Sequence, residues 1–156
     1  MLNIEIPGFH TLCLEHLVLD FNGTMASDGQ LLAGISPRIQ ALARELTIHV
    51  ITGDTHGGAQ SQLQGLPLRL TVLDAKHQAE AKLTYIRELG AEHVACIGNG
   101  RNDRLMLQEA SLGFAVAGTE GASIEAILAA NLFVPDIHQA LDLLRAPQRL
   151  VATLRG

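Results

Sequence analysis

The sequence predicts one α/β domain: a three-layer arrangement of a parallel sheet with helices on both faces, entered through an amino-terminal β-hairpin. Three observations predict it. Apolar runs of strand length alternate with longer amphipathic stretches, the pattern of repeated βαβ units. Hydrophobic residues make up 47% of the chain but aromatic ones only 3%, with no tryptophan, so the core must be built from Leu, Ile, Val and Ala. That composition suits strands buried on both faces. Finally, 156 residues suffice for one sizeable core and are too few for two ordinary domains, so residues 1–156 are expected to form a single unit.

Leu2 to Ile6 alternates apolar and polar residues and, after Pro7-Gly8, leads into Thr11 to Asp20, which reads as a hairpin feeding a buried strand. Ser36-Pro37 has the form of an N-cap followed by a first-turn proline and predicts a helix through about Leu46. Ile48 to Ile51 is the next strand. Further helices are expected over Gly57–Leu63, His77–Leu89, Asp103–Glu109, Gly121–Ala129 and Ile137–Leu144. Strands are expected over Leu68–Leu73, His93–Ile97, Gly113–Val116 and Leu132–Val134. The tail, Pro147 to Gly156, reads as a last helix or a partner-binding end.

Charge and hydropathy narrow the function. A net charge of −5 with scattered Lys and Arg gives no basic surface for nucleic acid. No apolar stretch approaches the roughly 20 residues that span a bilayer. Met1 to Glu5 lacks a basic region followed by an apolar one, so the expected setting is cytoplasmic, without a membrane partner. Cys13 and Cys96 lie in strand-like segments and read as small buried apolar residues.

Four segments carry chemistry. The apolar run Val18-Leu19 ends in Asp20 and is followed at once by Phe21-Asn22-Gly23-Thr24. A buried strand delivers such a carboxylate to its carboxyl end, where open α/β sheets hold their ligands. Gly23 lets backbone approach an anion, and Thr24 offers a hydroxyl and an amide. Ile48 to Ile51 is followed by Thr52-Gly53-Asp54, and His93 to Ile97 by Gly98-Asn99-Gly100-Arg101-Asn102-Asp103, with Lys82 on the amphipathic stretch between them. Singly, each has a plain structural reading: a strand end, a solvated lysine, or, for Asp103, a helix N-cap.

Together and in this order the segments resemble the four motifs of the haloacid dehalogenase-like superfamily of phosphotransferases. They look most like the phosphorylation domain of P-type ATPases, with its DKTGT, TGD, lysine and GDGxND. The resemblance implies a Rossmann-like fold and a phosphatase working through an aspartyl phosphate on Asp20. Thr52 would donate to the phosphate, and Lys82, with Lys76 as the alternative, would hold nucleophile and phosphate together. Gly23, Thr24, Gly53 and Asn102 would complete the phosphate site. A Mg²⁺ ion would be held by Asp20, the Asn22 carbonyl, and Asn99 or Asp103 from the last loop. His56 reads either as a proton carrier or as a loop residue.

Two departures from the pattern weaken the expected chemistry. Asn22 stands where superfamily phosphatases carry the acid that protonates the leaving group, and an amide cannot make that transfer. Slow turnover or a need for activated phosphoryl donors is expected. Asn99 replaces the aspartate of GDGxND and removes a charge from the cation site. Only about thirty residues separate Thr24 from Thr52, which leaves no room for a cap domain and predicts an open site unless a homo-oligomer closes it. The expected ligand is a phosphorylated small molecule or phosphoprotein. The rival expectation is a weak or inactive phosphate-binding or protein-interaction module.

Overall fold

The computed structural model describes residues 1–54 and 57–156. The chain runs β1 (Leu2–Ile4), β2 (Leu12–Leu14), β3 (His16–Asp20), β4 (Ala26–Ser27), β5 (Gln30–Leu31), α1 (Ile35–Leu42), β6 (Thr47–Thr52), α2 (Gly58–Leu63) and β7 (Arg69–Val72). It continues through α3 (Gln78–Leu89), β8 (Val94–Gly98), α4 (Arg104–Glu109), β9 (Leu112–Val116), α5 (Ile124–Ala129), β10 (Leu132–Val134), α6 (Ile137–Arg145) and α7 (Pro147–Leu154). Six strands form one parallel sheet in the order β10-β9-β8-β3-β6-β7.

Strand alternation divides the core between the two faces of this sheet. Leu17, Leu19, Ile48, Val50, Ala95 and Ile97 face the layer that contains Ile39 of α1, Leu63 of α2, Leu141 of α6 and Leu150 of α7. Val18, Ile51, Val94 and Cys96 pack against Ile86 of α3, Met106 and Leu107 of α4, and Ala126 of α5. From β3 the chain crosses through α1 to β6 on one side. It returns from β7 through α3 to β8 on the other, so the strand order reverses at β3. Such a reversal opens a crevice at the strands' carboxyl ends. Among the described residues no helix is long and apolar enough to cross a membrane.

The sheet architecture, the amino-terminal hairpin and the missing cap agree with the sequence reading, while several boundaries are corrected. Thr11 to Asp20 is two strands. The chain leaves the two-stranded β1-β2 sheet at Glu15, whose N–H donates to His93 and whose carbonyl accepts from Thr47, and only then enters the main sheet. Ser36 is not the cap of α1: Gly34, at φ 83°, occupies that position, and the helix ends at Leu42 rather than Leu46. Helix α5 starts at Ile124, after Ser123, rather than at Gly121. Sequence reasoning missed the β4-β5 hairpin, whose turn residues Asp28 and Gly29 both have positive φ. An Asp-Gly pair is the usual sign of that turn. Of the two readings of the tail, the helix is realised as α7, with Pro147 at its start.

Candidate active site

Parallel register brings the predicted motifs together. Asp20 is the last residue of β3 and lies opposite Ile51 of β6, so Thr52 ends the neighbouring strand. On the other side Leu19 lies opposite Ile97, which places Asn99 just beyond the end of β8. The strand ends border an open cleft of about 420 Å³ lined by Asp20, Asn22, Thr52, Gly53, Asn99 and Asn102, together with Asp54, Gln78, Gly100 and Glu120. His56 lies outside the described residues.

The floor of the cleft is an ion-pair cluster. Lys82, on α3 and only 1% exposed, reaches Asp20 Oδ1 and Asp103 Oδ1, both at 2.7 Å. Burial alone pulls the Lys82 pKa down, but the two carboxylates outweigh it and hold the ammonium above its ordinary value. Burial, and then the charge of Asp103, push the Asp20 pKa up to about 7 against the opposing pull of Lys82 and Thr24. With Asp20 ionised the cluster holds two anions and one cation, and the raised pKa of Asp20 reflects how strongly it favours a further positive charge. Lys76 is exposed, and its backbone N–H donates to Asp74. Of the two lysines, Lys82 is the one beneath the cleft, in contact with Asp20.

Asp103 is placed differently from the expectation that it would ligate a cation. It is fully buried and does not line the cleft. Its Oδ1 accepts from Lys82, and its Oδ2 accepts from the backbone N–H groups of Asn99 (3.0 Å) and Gly100 (2.9 Å). Nor does its side chain cap α4, although the residue sits at the N-cap position. Its carboxylate turns back to fix Lys82 and the turn after β8.

Beside Asp20, the buried Thr24 hydroxyl lies 3.3 Å from Asp20 Oδ2 and 3.2 Å from Asn99 Oδ1. One hydroxyl carries one proton. At any moment, therefore, one of these two oxygens lacks that donor. This fits an oxygen-seeking divalent cation, which needs only a few protein oxygens because it keeps several waters. Among the described residues no three His, Cys, Asp or Glu side chains could cage a metal unaided. Thr52 is buried, and its hydroxyl accepts from the Asp54 N–H, which leaves its proton to donate.

The sequence reading missed Gln78 and Glu120. Gln78 lies one turn before Lys82 on α3, accepts from Asn102 Nδ2 at 2.9 Å and crosses so close to Gly53 that any side chain there would collide with it. Its position on the same helical face as Lys82 was the available signal. Glu120 follows β9, the next strand of the sheet, and asking what lies beyond that strand's end would have found it.

No protein-family model matches the chain. A relative in Methanocaldococcus jannaschii, "Uncharacterized protein MJ0073", is 47% identical over 79 residues, which is 48% of this chain and 85% of the relative. The chain belongs to the family of that archaeal protein. For the family's fold, solved structures supply the comparison. The 3-deoxy-D-manno-octulosonate 8-phosphate phosphatase of Moraxella catarrhalis, solved with magnesium, phosphate and KDO, superposes with a TM-score of 0.70 at 15% identity, over 92% of this chain and 95% of that one. The cobalt-bound deoxy-D-mannose-octulosonate 8-phosphate phosphatase of Haemophilus influenzae gives 0.72 at 16% identity, over 92% and 94%. A HAD superfamily (subfamily III A) hydrolase of Legionella pneumophila gives 0.72 at 15%, over 92% and 88%. The chain thus has the haloacid dehalogenase-like fold that its motifs resemble.

Proposed function

We propose that the protein is a Mg²⁺-dependent phosphatase that works through an aspartyl phosphate on Asp20. The observation that carries this reading is the position of Lys82, buried between Asp20 and Asp103 at the floor of an open cleft. A lysine so held fixes one carboxylate oxygen and leaves the other toward the cleft. Oδ1 of Asp20 accepts from Lys82, while among the described residues Oδ2 accepts only from the Thr24 hydroxyl. In this reading Oδ2 attacks phosphorus as the bond to the leaving oxygen breaks and that oxygen takes the bonding pair. Water then attacks the phosphorus of the aspartyl phosphate, the bond to Asp20 breaks, and phosphate leaves with the carboxylate restored.

Thr52 and Lys82 offset charge on the transferring group, and the backbone of Gly23, Thr24 and Gly53 with the Asn102 side chain completes its surroundings. Asp20, Asn99 and the Asn22 carbonyl would hold Mg²⁺, which, when bound, offsets the negative charge of the phosphoryl oxygens. Asp103 acts one step back, by positioning Lys82. Asn22 lines the cleft but cannot protonate a leaving group, so the preferred donors are those whose leaving group needs no proton. The structural neighbours favour a phosphorylated small molecule as substrate, since two of them are phosphatases of a small phosphate ester.

The test is Mg²⁺-dependent phosphate release from acetyl phosphate, p-nitrophenyl phosphate, sugar phosphates and phosphopeptides, with Asp20→Ala beside the wild type. Release confined to the wild type and strongest for acetyl phosphate is expected. Equal release by both proteins would sink the covalent reading. The alternative would then be the phosphate-binding or interaction module that Asn22 and Asn99 favour.

A further inference from the structure

Glu120 lies on the loop between β9 and α5 and lines the same cleft as Asp20, Asn22 and Asn99. The residue is exposed, and its carboxylate reaches over the turn that follows Asp20. A Cβ added to Gly23 would sit 2.2 Å from Glu120 Oε2 and 2.7 Å from Asn99 Nδ2, so the two side chains converge over the turn that follows Asp20. At φ 78° and with this space filled, Gly23 has to be glycine.

The loop that carries Glu120 is held in place. Thr119 shares a 2.7 Å hydrogen bond with Ser27 of β4, and the Gly118 N–H donates to Pro135. The Gly121 carbonyl accepts from Asn99 Nδ2 at 3.1 Å, and the Ser123 N–H donates to the Asn99 carbonyl at 2.8 Å. The loop is therefore tied to the residue whose charge is missing. Among the described residues Glu120 has no ion-pair partner.

Charge counting gives this placement a reason. With Asp20 ionised, as a bound cation would hold it, Asp20 and Asp103 against Lys82 leave one negative charge in excess, and Asn99 adds none. An unpaired carboxylate directed toward an already anionic cleft is unfavourable by itself. It becomes favourable when a divalent cation occupies the cleft, because Glu120 brings the excess to two negative charges.

We propose that Glu120 supplies, from a different strand end, the anionic oxygen that Asn99 lacks, and that Asp20, Asn99 and Glu120 together bind the divalent cation. This inference rests on the reading of the cleft as a cation-assisted phosphatase site. It makes Glu120 a cation ligand peculiar to a chain that carries asparagine at position 99.

The test reads binding without turnover. Mg²⁺ is titrated calorimetrically into wild type, Glu120→Gln, Asp20→Asn, and Glu120→Gln combined with Asn99→Asp, at low and at high salt. Melting temperatures without Mg²⁺ verify that each variant is folded. Glu120→Gln should weaken Mg²⁺ binding roughly tenfold or more, a loss in the range seen when a group supporting a metal site is removed. Returning the carboxylate at position 99 should recover most of it. The loss should persist at high salt, where diffuse attraction between exposed charges is screened. Equal affinity in wild type and Glu120→Gln, with binding lost in Asp20→Asn, would overturn the assignment and leave the phosphatase reading standing. A deficit that vanishes at high salt would also overturn it. No Mg²⁺ binding by the wild type would overturn both.

Discussion

Two polar clusters lie against the same face of the sheet, one fully buried and one half-buried around His49, and they handle burial in opposite ways. At the carboxyl ends of the strands, the Lys82 ammonium meets the carboxyl groups of Asp20 and Asp103 as an ion-pair cluster. Between β3, β6, β7 and α3, His16, His49, Tyr85 and Thr71 form a chain without a carboxylate or ammonium: His16 Nδ1 lies 3.1 Å from His49 Nε2, His49 Nδ1 lies 2.8 Å from the Tyr85 hydroxyl, and Thr71 donates to that hydroxyl at 3.4 Å. One proton per link satisfies this chain with both imidazoles neutral: Thr71 donates to Tyr85, Tyr85 to His49, and His49 to His16. A neutral chain is the low-cost way to bury polar groups between strands. Buried ions are expensive, and replacing them with well-packed apolar residues is often neutral or stabilising. The costly arrangement occurs at the cleft and the inexpensive one away from it, which is what a site built for chemistry rather than for stability requires.

The largest effect expected is from removing the cation of the charged cluster. Lys82→Met leaves Asp20 and Asp103 buried without a counter-ion, and breaking a buried pair in this way costs about 3–5 kcal/mol. Denaturant titration at neutral pH should show that loss, and phosphate release should fall to background. The deficit should also shrink on acidification. Burial and Asp103 already push the Asp20 pKa up to about 7, and loss of Lys82 removes an opposing pull, so the folded variant takes up a proton at Asp20 that its unfolded chain does not, and it gains relative stability as pH falls. A deficit independent of pH would mean that packing, not charge, holds the cluster together.

A proton carrier at position 22 is the next largest change. Asn22→Asp places a carboxyl group where the cleft has an amide, and general acid–base help is worth about 10² to 10⁴ in rate. The gain should be large for sugar phosphates, whose leaving oxygen needs a proton, and small for acetyl phosphate, whose leaving carboxylate does not. Equal gains for both donors would show that the new carboxylate acts on charge or cation binding instead.

How much of this was legible in the sequence follows from how each residue is delivered. Asp20, Thr52 and Asn99 stand where an apolar strand gives way to a polar turn, a transition visible in one dimension, and parallel register then guarantees that adjacent strand ends meet. Lys82 was legible as one of two lysines, since only the packing of α3 separates it from Lys76. The role of Asp103 was not legible: its carboxylate folds back onto its own turn, and spacing does not tell that from one pointing into the cleft. Glu120 was missed because it lies four residues past the end of β9, on a loop whose path is set by the ties of its neighbours Thr119 and Gly121 to Ser27 and Asn99. The β4-β5 strands are too short for hydrophobic periodicity to register, although Asp28-Gly29 marked their turn. His16 and His49 are brought together only by the pairing of β3 with β6, which no local pattern encodes.

The smallest effect expected is in the neutral cluster, and although its deficit also narrows as pH falls, it does so because wild type loses stability rather than because the variant gains it. His49 is 1% exposed. Burial first, then the neighbouring His16 and Arg69, push its pKa down to about 4, and burial lowers that of His16 as well. Between the ordinary value of 6.5 and about 4 the unfolded chain binds a proton at His49 that the folded chain refuses, so this contribution to stability is complete above pH 6.5 and is lost as pH falls through that window. His49→Leu removes the titration but leaves the Tyr85 hydroxyl and His16 without a partner, a cost of roughly 1–3 kcal/mol at neutral pH. The melting temperature of the variant should therefore lie several degrees below wild type at pH 7, and the gap should narrow toward pH 4 because wild type loses the larger share of its stability on acidification. A gap that stays constant across the window would show that His49 carries its proton in the folded state, and the contrast between an ionic cluster at the cleft and a neutral one beneath the sheet would then fail.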